Sequence, residues 1–265
     1  MPTTYAHYRF GRDVLAALPE SYQKIIEEYR DLYNIGLHGP DLLFYYKALK
    51  KNPVNQTGFA MHERPGHEFF HPAASFVRLL NNQTAAKAYL FGFMCHFALD
   101  SNCHPYVEQM TRESTQTHSA IEAELDRYFM KKDGLNPFRH KPANHLIASH
   151  FHAMVISRFF PSIKTKEIET SIRSIRFYCN LLALPGVLGH AAMITAMKLV
   201  GCSKSFQDMV IRPRMIVECI PMNARLEKLY HHAVQDAVEL IENLDEHICC
   251  KTPLDPRLNH TFGEF

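Results

Sequence analysis

Apolar positions recur every three to four residues along most of this chain, and long β-branched alternations are missing. That pattern predicts helices and no sheet. A short helix is expected over residues 12–18, stopping at Pro19, and another over 22–33 with Ile25, Ile26, Tyr29 and Tyr33 on one side. Gly36 ends it, Gly39-Pro40 makes a turn, and an aromatic-rich helix follows over 41–49. Residues 50–66, with Pro53, Gly58, Pro65 and Gly66, read as a loop carrying His62. Helices are then expected over 68–80 and 84–100, the second with Thr84 as its N-cap. Residues 101–113 read as a connector containing His104-Pro105, and 116–130 as a helix ending near Gly134.

The chain resumes helically from 142 to 160, and Pro161 breaks it. Thr165 caps the next helix, with Glu167 in its first turn and Ile168, Ile172, Ile175, Cys179 and Leu182 on its inner face. The last long helix covers about 222–248. Leu226, Leu229, Ala233, Ala237, Leu240, Leu244 and Ile248 keep the spacing of a buried stripe. The tail after Cys250, with Pro253 and Pro256, reads as extended. The stretch 180–200 is the one membrane candidate, but Pro185, Gly186, Gly189, His190 and Lys198 interrupt it. A span needs about 20 clean apolar residues, so buried helices broken near Pro185 are expected. The fold class is all-α: one multi-helix domain over 1–265, with motifs in 1–130, a helical remainder over 140–250 and a tail over 251–265.

Composition narrows the function. With 29 basic and 27 acidic residues, the net charge of +2 gives no electrostatic case for a dedicated nucleic-acid binder. The seven cysteines form no C-x2-C pair and read as reduced thiols in an intracellular protein, mostly core fillers. Cys249 and Cys250 read as a pair of small apolar residues rather than an exposed pair. MPTTYAHYRF lacks the apolar run of a cleavable signal, so a cytoplasmic location is expected. The 17 histidines are the outlier and raise the prior for metal chemistry.

The chemistry concentrates in residues 91–126. His96 and Asp100 stand four apart, His104 follows, and His118 and Glu122 again stand four apart. Residues four apart share a helix face, so each pair can close on one ion. Zinc accepts such nitrogen and carboxylate donors at roughly 2.0–2.2 Å. One pair alone is as readily a helix-face hydrogen bond; two pairs with a third histidine between them point to metal. Glu124 and Asp126 read as a solvated face or as support for the second pair. Phe44, Tyr45, Tyr46, Phe69 and Phe70 read as core before they read as a lipid or base pocket. Most other histidines, such as His38, His140, His145 and His190, read as ordinary satisfied side chains.

Six pieces occur in one order: TYAH at 4–7, GPDLLFYY at 39–46, MHE at 61–63, HFALD at 96–100, CHPY at 103–106 and HSAIEAELD at 118–126. In this order the chain resembles the bacterial zinc-dependent phospholipase C family, which shares its fold with the S1/P1 nucleases. The resemblance covers about the first half and implies three zinc ions in a cleft among helices. It implies that Asp41, His62, His96 and Asp100 hold one zinc, and that His104, His118 and Glu122 hold a second. His7, Asp100 and the N-terminal amine and carbonyl hold the third, so that Asp100 bridges two metals. It also implies that Asp41 assists as a base for the incoming water. The chain departs from the secreted members in having no Trp, in a close-set His7 and in a shorter His96-to-His104 interval. His67 and His71 rival His62, which the MHE context favours.

The leading expectation is therefore a zinc hydrolase of phosphate esters with two or three zinc ions, a phospholipase C-like phosphodiesterase acting through metal-activated water on a phospholipid or other phosphodiester. The alternatives are an S1/P1-like nuclease, which the near-neutral charge disfavours, and a non-catalytic metal-stabilised helical scaffold or lipid-binding protein. Structural zinc sites close with four protein ligands, whereas His104, His118 and Glu122 supply three, as an open catalytic site does.

Overall fold

The computed structural model describes residues 4–182, 186–199, 201–202 and 204–263. Among them the chain is helical, with no strand. The helices of the first half are α1 Thr4–Ala17, α2 Glu20–Glu28, α3 Arg30–Gly36, α4 Asp41–Phe44, α5 Pro53–His62, α6 His67–Val77, α7 Thr84–Glu113 and α8 His118–Lys132. The second half adds α9 His150–Ser157, α10 Thr165–Leu182, α11 Gly186–Leu199, α12 Lys204–Asp208 and α13 Cys219–Cys250, then a 3-10 turn over Pro256–Asn259.

Helix α7 is the axis of the fold. Every residue from Ala86 to His104 is buried, so this stretch is covered on all sides rather than along one stripe. It packs most extensively against α3 and α13, and also against α1, α2 and α8. The α3–α7 contact brings backbone against backbone. A Cβ on Gly36 would lie 2.3 Å from the Tyr89 carbonyl oxygen, and one on Gly92 would lie 2.1 Å from that of Tyr33. Only glycine permits that approach. Tyr33, on the same helix, donates its hydroxyl to the Gly11 carbonyl at 2.7 Å and so ties α3 to α1. Past α3 the chain turns at Gly39, whose φ of +44° and lack of a Cβ let it pass against the His96 ring. Asp41 opens α4 directly afterwards.

Several expectations need correction. Residues 101–113 are not a connector: α7 continues through them with Pro105 inside. An internal proline costs about 3 kcal/mol, and burial on both sides of it, at Cys103, His104 and Val107, offsets that. Residues 53–62 are helix α5 rather than loop. Pro53 sits at its first position, where a proline starts a helix instead of breaking one. The Asn52 side chain accepts from Val54 and Asn55 backbone N–H groups at 3.1 Å each, and the Asn55 side chain accepts from the Asn52 N–H at 3.0 Å.

The helix expected over 22–33 is two, because Tyr29 leaves helical geometry at φ −127°. Helix over 142–160 shrinks to α9, whose cap is Ser149 accepting from the His152 N–H at 3.1 Å. Gln83, not Thr84, holds the cap position of α7. Cys249 and Cys250 are both exposed, since α13 turns that end of its face outward. Helix α11 occupies much of the apolar stretch 180–200 and is largely half-buried or exposed; Pro185 lies outside the described residues. Among the described residues no helix is long and apolar enough to cross a membrane. The expected inner faces of α10 and α13 are buried apart from Leu182 and Leu229 at their margins.

The α3–α7 approach yields a direct test. Gly92→Ala is expected to lower unfolding free energy by about 1–3 kcal/mol, the usual penalty for overpacking, measured by urea denaturation. An unchanged midpoint would show that α3 and α7 can separate without cost.

Candidate metal centre

Three turns of α7 point His96, Asp100 and His104 to one side, and four other helices bring partners to that face. His7 comes from α1, Asp41 opens α4, His62 ends α5, and His118 and Glu122 lie one turn apart at the start of α8. The centre of the arrangement is the Asp100 carboxylate. Its Oδ1 lies 3.2 Å from His7 Nε2 and 3.6 Å from His104 Nε2. Its Oδ2 lies 3.1 Å from His96 Nε2 and 3.9 Å from His62 Nε2. His62 Nε2 is also 3.0 Å from Asp41 Oδ1. Glu122 Oε1 is 3.3 Å from His104 Nε2 and 3.1 Å from His118 Nε2.

All eight residues expected from the sequence thus converge. They form three groups whose donor atoms lie within 4.8 Å of one another: His7 with His96 and Asp100, Asp41 with His62 and His96, and His104 with His118 and Glu122. The expected contribution of the N-terminal amine falls outside the described residues. His62, rather than its rivals, reaches the centre. His67 Nδ1 instead meets the Leu258 carbonyl at 3.3 Å, and His71 lies beside His247.

The imidazoles are oriented by what holds their other nitrogen. His96 Nδ1 faces the Leu37 carbonyl at 3.3 Å, and His62 Nδ1 faces the Gly58 carbonyl at 3.0 Å. A carbonyl only accepts, so each Nδ1 carries the proton and each Nε2 presents its lone pair. His118 Nδ1 contacts Glu108 Oε1 at 2.7 Å. Backing of this kind is what metal-bound histidines use to fix ring and tautomer. None of these backing groups is visible from motif spacing; only Glu108, ten residues before His118 and on the preceding helix, could have been suspected.

Several donor atoms at the centre are left over. The Nε2 atoms of His7, His62, His96, His104 and His118 and Oδ2 of Asp100 are buried and make no well-formed hydrogen bond among the described residues. Buried polar groups are ordinarily satisfied. Donor atoms that face each other at 3.0–3.9 Å without good hydrogen-bond geometry suit cations lying between them. The mixed imidazole and carboxylate set fits zinc.

The electrostatics agree. Burial pushes the Asp100 carboxyl up, yet His104, His96 and His7 hold it well below the usual carboxylate range. Glu122 is likewise held low against its burial, by His118 and His104. Burial would raise Asp41, but its contact with His62 and the nearby His96 lower it. Burial opposes protonation of His118, but Glu122 and Glu108 carry it up to about 9. His96, fully buried, is driven down. Three carboxylates kept ionised in a buried pocket draw positive charge to it.

Other parts of the chain shape the pocket. Asp126, expected on a solvated or supporting face, is buried and accepts from the Tyr5 and Ala6 N–H groups at 3.1 and 2.8 Å. It thereby fixes the first turn of α1 and the position of His7. Glu124 is buried too and accepts from the Ile216 N–H at 3.2 Å. The C-terminal tail crosses the centre: Phe262 is buried with its ring 5.2 Å from that of His62 and 5.9 Å from that of His96. Sequence reading missed Phe262 because an aromatic in an aperiodic tail carries no signal. Phe44, by contrast, is the core residue expected, and it also flanks His62 at 5.2 Å. The side chains of His62 and His118 are 17% and 24% exposed, against 0% for His96, so the outer edges of these two rings meet solvent while their Nε2 atoms stay buried.

Glu108→Gln removes the negative charge behind His118. It is expected to weaken zinc affinity by about tenfold, the low end for such backing groups, measured by competition with a chromophoric chelator. Wild-type affinity in the variant would mean that Glu108 does not orient the ring.

Residues 6–178 match the model of the zinc-dependent phospholipase C family. No curated protein and no solved structure matches the chain. The match spans well over half of the 265 residues and takes in every helix that contributes to the histidine–carboxylate centre. The chain belongs to the zinc-dependent phospholipase C family.

Proposed function

We propose that the protein is a zinc-dependent hydrolase of phosphate esters, acting as a phospholipase C-like phosphodiesterase on a phospholipid or related substrate. The observation that carries this reading is the buried Asp100 carboxylate surrounded by four imidazole Nε2 atoms. Family membership supplies the reaction class. Asp41, His62, His96 and Asp100 would hold one zinc, His104, His118 and Glu122 a second, and His7 with Asp100 a third. The whole chain is read as one domain built around that centre.

Zinc bound there supplies a Lewis acid for the phosphoryl oxygen and lowers the pKa of a coordinated water. The protein's own part is positional. The buried carboxylates keep the pocket anionic, the Leu37 and Gly58 carbonyls keep two rings in one tautomer, and Phe262 covers the His96 ring and one side of the His62 ring. Asp41, ionised beside His62, is the group assigned to receive a proton during attack. The exposed edges of His62 and His118 mark the side from which substrate enters.

Protein purified without chelator is expected to carry two or three zinc ions per chain by elemental analysis, and to hydrolyse a water-soluble phosphodiester in a zinc-dependent way. Asp100→Asn should lose at least one ion and nearly all turnover. Asp41→Asn should lower kcat by about 10²–10⁴-fold, the usual contribution of a positioned acid–base group. Full activity in Asp100→Asn, or a wild-type chain that takes up no zinc when zinc is supplied, would sink the proposal.

A further inference from the structure

A second feature lies where α10, α11, α12 and the turn after α4 meet. Tyr45, Ala48, Tyr178, Met193, Met197 and Met209 are among the walls of a cavity of about 220 Å³ that are almost wholly carbon and sulfur. The Tyr45 hydroxyl is already engaged, accepting from the Cys179 thiol at 3.3 Å. Walls of this kind gain by covering an apolar guest rather than water. Helices α11 and α12 lie beyond residue 178, outside the segment that matches the family.

Two of the segments that wall the cavity are unusual in charge. Residues 42–62 and 170–207 contain no Asp or Glu, whereas the chain as a whole is balanced. The same segments carry Lys47, Lys50, Lys51, Arg173, Arg176, Lys198 and Lys204, all exposed. Arg173 and Lys204 pair with Glu169 and Asp208 outside those segments; no carboxylate among the described residues pairs with the other five. The same segments expose apolar side chains beside these cations in the sequence: Leu49 at 65%, Phe177 at 61% and Leu199 at 83%. Apolar groups set among Lys and Arg are what an anionic lipid surface binds, through burial of the former and attraction of the latter.

We propose that this cavity receives an acyl chain of an anionic phospholipid and that its cationic rim rests on the lipid surface. The proposal deepens the phosphodiesterase reading and rests on its lipid substrate class. Tyr45, a wall of the cavity, follows Asp41 by four residues, so the segment that opens with a candidate metal ligand ends at the acyl site.

The zinc-loaded chain is tested by flotation with phosphatidylcholine vesicles with and without phosphatidylglycerol, and by titration with a fluorescent fatty acid. Wild type is expected to float only with the anionic vesicles and to bind the fatty acid saturably. Met193→Trp fills the cavity in a chain that has no other Trp. It should weaken fatty-acid binding by at least about tenfold, a difference of about 1.4 kcal/mol, with zinc content unchanged. Ala48→Trp serves the same end if the first variant does not fold. The triple variant Lys47→Glu, Lys50→Glu, Lys51→Glu should lose flotation and keep fatty-acid binding. Absence of fatty-acid binding by wild type, or wild-type binding in both filled variants, overturns the proposal. So does a wild-type dimer that Met193→Trp dissociates, which would assign the face to a second copy. Hydrolysis of a water-soluble phosphodiester separates the two readings. Activity without acyl binding overturns this inference alone, and acyl binding without any hydrolysis overturns the proposed function alone.

Discussion

The Asp100 carboxylate is almost completely removed from water, with four imidazole nitrogens at 3.1–3.9 Å. Burying an ionised carboxylate is costly unless charge and hydrogen bonds compensate it. Here Asp41 and Glu122 are buried nearby, so three acids share one interior region. Against their own burial, contact with Asp41 and Glu122 raises the basicity of His62 and His118. A divalent cation supplies more charge in less space, and it also uses the lone pairs that the imidazoles present. The stability of the helix assembly and the affinity for metal are therefore linked, as they are wherever ligands come from separate elements.

That constraint explains the backbone around the centre. A ligand face on α7 is useful only if other helices approach closely enough to complete it, and large side chains between backbones would prevent that. Gly36 and Gly92 let α3 lie directly on α7, and Gly39 lets the chain pass the His96 ring before Asp41. The Leu37 carbonyl, on that same stretch, sets the His96 tautomer. One close approach thus delivers a carboxylate, a ring orientation and the start of α4 together. Asp126 does the equivalent for α1, holding two of its first N–H groups, so that His7 faces Asp100.

How much of this could be read from the chain depends on the range over which each signal acts. Periodicity showed that the fold is helical and that His96 with Asp100, and His118 with Glu122, share a face, because those relations lie within one turn. It could not show that α7 and α8 turn these faces toward each other. His7, Asp41 and His62 came only with the resemblance, since each stands on a different helix and none has a ligand neighbour at helical spacing. Pro105 and Pro53 misled for one reason. Local rules treat proline as a stop, but tertiary burial carried α7 through one, and the first turn of α5 accommodates the other. The exposure of Cys249 and Cys250 has the same origin: composition says that cysteine is often buried, and only the packing of α13 says which way its last turn faces.

The tail shows what no local pattern can announce. Phe262 reaches the His62 and His96 rings from a segment held far from them along the chain. Arg257 binds Asp236 of α13 at 2.8 Å and Glu239 at 3.0 Å, Asn243 accepts from the Asp255 N–H at 2.8 Å, and the His260 carbonyl accepts from the Gly66 N–H at 3.0 Å. These bonds clamp the tail to α13 on one side and to the start of α6 on the other, and Phe262 lies over the histidine–carboxylate face. A phenyl ring there excludes water, and excluding water strengthens every charge interaction beneath it. The pocket's polarity is thus fixed jointly by the acids at its centre and by an aromatic cover anchored through the opposite helix. Loosening the Arg257 anchor would act on the centre through its dielectric, with no ligand residue touched.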